Sequence, residues 1–149
     1  VMALREALAD GTIDIVATDH APHPTEAKEC EWQEAAFGML GLETALSIVQ
    51  KTMVDTGLIS WQQVAERMSY APARIGRYEQ QGQPLVEGSA ANIVVMNPTQ
   101  MWTVDRDLVL SKSSNTPYHG QQLPGVIMHT FFKGKHVLNN GVVAQNGAK

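Results

Sequence analysis

Asp19, His20 and His23 are the residues of this chain whose types and spacing could do chemistry at neutral pH. A carboxylate can ligate a hard cation or shuttle a proton, and an imidazole changes charge near neutrality. Pro22 and Pro24 interleave with the two histidines. They forbid a regular helix, and with it the helical geometry of a paired-histidine zinc site. Cys30 has no adjacent activating base and reads as a loop residue rather than a nucleophile. His119, His129 and His136 fall in strand-like sequence and read as sheet or surface residues, while Arg74 is expected to pair within the fold.

Something must hold these side chains. Residues 13–18 are mostly β-branched or small and apolar, with Gly11 behind and two prolines ahead, which predicts a short buried strand. Asp19, His20 and His23 cluster where that strand ends. In an α/β barrel this is the end at which chemistry is done, and a carboxylate is costly to bury there unless a cation receives it. Read in isolation, Asp19 is more readily an aspartate that caps or stabilises its loop.

Upstream, Val1, Leu4 and Leu8 recur at helical spacing and Asp10-Gly11 forms a helix stop. A chain that opens inside such a pattern, on Val rather than Met, is expected to be a fragment. Downstream, residues 19–40 form a long polar loop, the kind that tends to be functional. Leu42, Ala45, Leu46, Val49 and Met53 then mark one face of a helix that Gly57 ends. Ser60 and Gln63 make a capping box for another, with Trp61, Val64, Ala65 and Met68 inward and Pro72 interrupting it or opening a last turn.

After Tyr78 the pattern changes. A polar connector at 79–84 leads into strand-like runs at 91–96, stopped by Asn97-Pro98, and at 126–132. Lys133-Gly134 turns the second run back, and Asn140-Gly141 is the strongest short hairpin signal in the chain.

Composition narrows the classes. In 149 residues, 44% hydrophobic and 17% charged, there is material for one ordinary domain or a large piece of one. Net charge is −4 with no basic block, which argues against nucleic acid or an acidic membrane surface as partner. No apolar run has the length of a membrane span. A single cysteine excludes an internal disulfide framework and fits a reducing, cytoplasmic setting.

The run Thr18-Asp19-His20-Ala21-Pro22-His23, followed by Ala36-Phe37-Gly38 and Gly41-Leu42-Glu43-Thr44-Ala45-Leu46, resembles the last barrel strand and loop of the dihydroorotases, metal-dependent amidohydrolases. Ala71-Pro72-Ala73-Arg74, residues 88–95 and Ser111-Lys112-Ser113-Ser114-Asn115-Thr116-Pro117-Tyr118 agree in order. The resemblance covers nearly the whole chain, but only the carboxy-terminal part of such an enzyme. It implies an α/β architecture, the carboxy-terminal part of a TIM (β/α)8 barrel followed by part of a small β-sandwich. Residues 1–82 would be the last βα portion of the barrel and 83–149 the carboxy-terminal share of the sandwich.

The activity implied is that of pyrimidine biosynthesis, the reversible cyclisation of N-carbamoyl-L-aspartate to L-dihydroorotate with one or two zinc ions. Asp19 would be metal ligand and catalytic acid/base. His23, Ala21, Phe37 and Gly38 would bind substrate, His23 through the substrate carboxylate and the others through backbone groups. His20 is expected to be a packed or hydrogen-bonded neighbour, and residues 111–118 to pack against the barrel. The family usually has Pro where Ala36 stands, a departure that loosens the ring contact.

The family's His-x-His pair, bridging lysine and two further histidines are not in this sequence. The chain by itself is therefore expected to hold no catalytic metal and to turn nothing over. A full-length form would be a homodimer, with aspartate carbamoyltransferase as a possible partner. Two alternatives stay open: a hydantoinase, dihydropyrimidinase or allantoinase, and a catalytically silent dihydroorotase-like scaffold for aspartate carbamoyltransferase.

Overall fold

In a computed structural model, which describes residues 1–144, the chain is a set of short helices followed by one antiparallel sheet. The last five residues of the segment expected to join a sandwich, 145–149, lie outside the described residues.

Helix α1 (Met2–Asp10) ends at Gly11, whose φ of 93° is the left-handed stop read from Asp10-Gly11. The Asp10 carboxylate accepts the Thr12 N–H at 2.8 Å, and chiefly this bond holds the carboxyl below its ordinary pKa. Residues 13–18, expected as a short buried strand, join no ladder among the described residues, and none of them is buried. Pairing, not extension, makes a strand. Here Val16 donates its N–H to the Arg67 carbonyl at 3.1 Å instead, and the Arg67 Nε caps the Leu8 carbonyl of α1 at 3.1 Å. Helix α2 (Thr25–Lys28) is a single turn within the loop that follows.

Helix α3 (Ala45–Val49) widens into a π-helical segment, Gln50–Val54, and the chain leaves it through Gly57 at φ 75°. Val49 and Met53 are buried as the periodicity predicts, but Leu42 is 65% exposed because it sits in the turn before the helix. Helix α4 (Trp61–Ala65) carries the expected box, with the Ser60 hydroxyl accepting from Gln63 N and the Gln63 side chain from Ser60 N. Trp61 faces outward rather than in. A second π-helical segment, Glu66–Tyr70, joins α4 to α5 (Ala71–Gly76), whose first turn accepts Pro72 because no intrahelical N–H is required of it there. Arg74 pairs with Glu66 at 2.8 Å on the surface, as expected.

The apolar core consists of Val49, Met53, Ile59 and Val64, with Leu8 and Ala9 from α1 and Val16 from the extended segment packed against it. Of residues 13–18 only half-buried Val16 packs on this core, so the segment preceding Asp19 is held to the helices by that contact and by the Val16–Arg67 bond.

Strands β1 (Ile93–Thr103), β2 (Gln122–Phe132), β3 (Lys135–Asn139) and β4 (Val142–Val143) lie in sequence order, each antiparallel to the next. Asn97-Pro98 does not stop β1. The register shifts between Asn97, opposite Val126, and Met101, opposite Pro124, so the proline, which has no N–H to pair, sits in an irregularity. Both hairpins are two-residue turns with positive φ at each position, Lys133 (49°) with Gly134 (78°) and Asn140 (48°) with Gly141 (76°).

Sheet and helices meet at α3. The Trp102 indole N–H donates to the Ser47 hydroxyl, which donates to the Gly125 carbonyl at 3.0 Å, while Gln50 Nε2 donates to the Pro98 carbonyl at 2.7 Å. Gly125, at φ 85°, admits this approach: a Cβ would stand 2.5 Å from Gln50 Oε1.

Between β1 and β2 the chain leaves the sheet and returns. Gly120 donates to the Val104 carbonyl at 2.8 Å and Val104 to Gln121 at 3.0 Å, so residues 105–120 form a loop closed at its neck by fully buried Val104. That loop reaches the region around Asp19.

Candidate active site

Asp19 ends the extended segment with φ at +45°, a left-handed conformation that turns the chain sharply towards His20. Its side chain is exposed. His20 bridges in parallel to Met39, with Ala21 donating its N–H to the Met39 carbonyl at 3.0 Å. The His20 Nδ1 accepts the Gly41 N–H at 3.1 Å, which assigns its ring proton to Nε2 and accounts for the packed, hydrogen-bonded role read from the sequence.

Ala21, His23 and Gly38 come together although they belong to opposite ends of the loop. Gly38 has φ +107°, and a Cβ there would stand 2.5 Å from the Ala21 Cβ and 3.5 Å from His23 Nε2. Only glycine fits, because the Ala21 methyl already packs where a side chain at 38 would stand, and this close approach sets the Gly38 backbone beside the His23 ring. Phe37 is 96% exposed, so its side chain supports nothing within the described chain.

The lysine and asparagine that hold this arrangement were not singled out by sequence reasoning. Lys28 Nζ donates to the carbonyls of Ala36 (2.8 Å) and Gly38 (3.0 Å), tethering the loop on both sides of Phe37. Asn115 comes from the long loop between β1 and β2. Residues 111–118 were expected to pack against the barrel, yet Asn115 hydrogen-bonds directly to the site: Nδ2 to the Ala21 carbonyl at 2.9 Å, Oδ1 from the His23 N–H at 3.2 Å. The Glu43 carboxylate anchors the same loop by accepting the Leu110 N–H at 2.9 Å. The available signals were the place of Asn115 in the family-like run 111–118 and the Pro that follows Asn115-Thr116, which marks a turn rather than a packed strand. One groove is lined by His23, Gly38 and Asn115, with Lys28, Glu29 and Arg106 as its charged residues.

The chain matches the amidohydrolase family over residues 1–137. It belongs to that family.

Among relatives of this amidohydrolase chain, the dihydroorotase of Streptomyces coelicolor is 58% identical over 141 residues, covering 95% of this chain and 33% of that protein. The dihydroorotase of Mycobacterium tuberculosis is 48% identical over 142 residues, again 95% of this chain and 33% of the relative. The chain thus spans about a third of the length of the curated relatives it matches. Among solved structures, the L-hydantoinase (dihydropyrimidinase) from Arthrobacter aurescens superposes with a TM-score of 0.87 at 33% identity, over 96% of this chain and 32% of that one. The dihydropyrimidinase from Brevibacillus agri gives 0.86 at 26% identity, over 95% and 32%.

For a metal, the amidohydrolase chain offers a partial donor set. Asp19 is an exposed carboxylate at the turn, whereas His20 has its Nδ1 committed to Gly41. Among the described residues no group of three or more His, Cys, Asp or Glu could hold an ion. Asp19 could therefore supply no more than one of the three or four protein ligands that such a metal site needs. His119, His129 and His136 lie apart from Asp19: His119 accepts the Arg106 N–H, and the other two face each other across the sheet with ring nitrogens 3.1 Å apart. No helix of the described residues is long and apolar enough to cross a membrane.

Proposed function

We propose that this chain is the carboxy-terminal third of a zinc-dependent dihydroorotase, which interconverts N-carbamoyl-L-aspartate and L-dihydroorotate. Residues 1–82 are then the last share of a TIM barrel and 83–149 a share of a β-sandwich. The observation that carries the reading is the approach of Gly38 to Ala21 and His23, which brings the two halves of the dihydroorotase-like run together a few residues beyond Asp19. Identity of 58% to a dihydroorotase, against 33% to an L-hydantoinase, favours the substrate with an acidic group over the neutral cyclic amides.

Asp19 supplies one ligand of the metal site. A zinc ion, when bound, lowers the pKa of a coordinated water towards about 7. The Asp19 carboxylate accepts the proton lost on attack and returns it to the departing ring nitrogen, so one residue serves as base and then acid. The His23 imidazole, as donor, meets the substrate carboxylate. The backbone near Ala21 and Gly38 orients the ring amide through the acceptor sites that its carbonyls keep beside their bonds to Asn115 and Lys28.

The test is the full-length, zinc-loaded protein assayed with L-dihydroorotate, dihydrouracil and hydantoin. Hydrolysis of dihydroorotate, lost on Asp19→Asn with the fold intact, is the expected result. Preference for dihydrouracil or hydantoin, or near-normal turnover in the variant, overturns the reading.

A further inference from the structure

We infer that Asn115 is a positioning residue for the substrate subsite, its side-chain amide standing in for a neighbouring strand that the 21–23 backbone lacks. This rests on the dihydroorotase reading for the identity of the substrate, though not for the geometry.

In a parallel ladder one residue's own N–H and C=O bond the carbonyl of one residue on the partner strand and the N–H of the second residue on. The Asn115 side chain makes that pair of bonds. Nδ2 donates to the Ala21 carbonyl at 2.9 Å, and Oδ1 accepts the His23 N–H at 3.2 Å. Its main-chain carbonyl accepts the Leu40 N–H at 3.2 Å, and Nδ2 stands 3.5 Å from the Gly38 carbonyl. One residue, 92 positions away from His23 in sequence, therefore holds both backbone segments that flank the His23 ring.

The consequence is directional. His23 and the Gly38 backbone touch substrate, whereas Asn115 acts through them. Their geometry is decided by an amide donor and an amide acceptor, not by side-chain volume. Aspartate has the same shape but no donor, and it turns a carboxylate oxygen towards the Ala21 carbonyl.

The test uses the full-length, zinc-loaded protein with Asn115→Ala and Asn115→Asp. Two hydrogen bonds lost at the subsite should raise KM for dihydroorotate by about tenfold, with kcat changed less than about threefold and zinc content unchanged. Asn115→Asp should be no better than Asn115→Ala, whereas a packing role would let the isosteric variant behave as wild type. Hydrogen exchange read by mass spectrometry should show faster exchange in peptides covering 19–40 and no change in those covering α3 and α4. Unchanged exchange at 19–40 overturns the inference whatever the activity. So does an isosteric variant with wild-type KM. If the unmodified protein prefers dihydrouracil or hydantoin, the dihydroorotase reading fails alone, and the same KM comparison on that substrate decides the role of Asn115.

Discussion

The helical core and the loop at 19–40 are held by opposite physics. Val49, Met53, Ile59 and Val64 are each 5% exposed or less, and their order comes from burial that is insensitive to the details of any one contact. The loop contributes only Leu40 to the buried set, and its tip residues Trp32 (93%) and Phe37 (96%) are almost wholly exposed. What orders it is a handful of directional bonds from Lys28, Asn115 and His20 to main-chain groups. A site built this way can offer backbone groups to a substrate, which an apolar core cannot do. It depends, in exchange, on a few donors contributed from far along the chain.

That contrast can be broken or sharpened, each time in the full-length zinc-loaded protein. The largest effect belongs to Asp19→Asn: turnover should fall by about 10²–10⁴-fold, with thermal stability retained. Met53→Ala should do the reverse. Loss of a buried side chain from the core should cost about 2–5 kcal/mol in denaturant unfolding, while kcat and KM of the remaining folded protein stay at wild type. Coupled loss of both properties in either variant would erase the distinction between the two regions.

Gly38→Ala probes the loop sterically. The added methyl meets the Ala21 Cβ in a left-handed backbone, so kcat/KM should fall by the equivalent of about 1–3 kcal/mol while urea midpoints move little. Ser60→Ala, which removes half of a capping box remote from the site, should cost about 1 kcal/mol of stability and leave KM unchanged.

Asp10→Asn should have the smallest effect. The Asp10 carboxyl is held low by the Thr12 N–H, so its contribution is complete above the unfolded-state pKa of about 4 and disappears as pH falls through the lower folded value. The variant's Tm should therefore lie slightly below wild type near neutrality and converge with it in acid.

Much was legible before any coordinates. The Asp10-Gly11 stop, the Ser60/Gln63 box, both two-residue hairpins and the inward Val49 and Met53 follow from rules that act within a few residues, where sequence and geometry are tightly coupled. The candidate residues Asp19, Ala21, His23 and Gly38 were also readable, because they sit in a short run whose order alone resembles a known family.

Other features needed the folded chain. Residues 13–18 have strand composition but join no ladder among the described residues, since pairing depends on a neighbour and not on the strand's own side chains. Pro98 reads as a stop, yet β1 continues past it because a register shift absorbs the missing N–H. Leu42 and Trp61 fit helical periodicity but lie where their helices begin, outside the packed face.

Local sequence thus determined the turns, the caps and the identity of the chemical groups, because each is set by a residue and its near neighbours. Only tertiary structure decided that Asn115 and Lys28 hold the site. A hydrogen bond spanning 92 residues leaves no periodicity, and a lone Asn or Lys on a loop looks the same whether it faces water or a carbonyl.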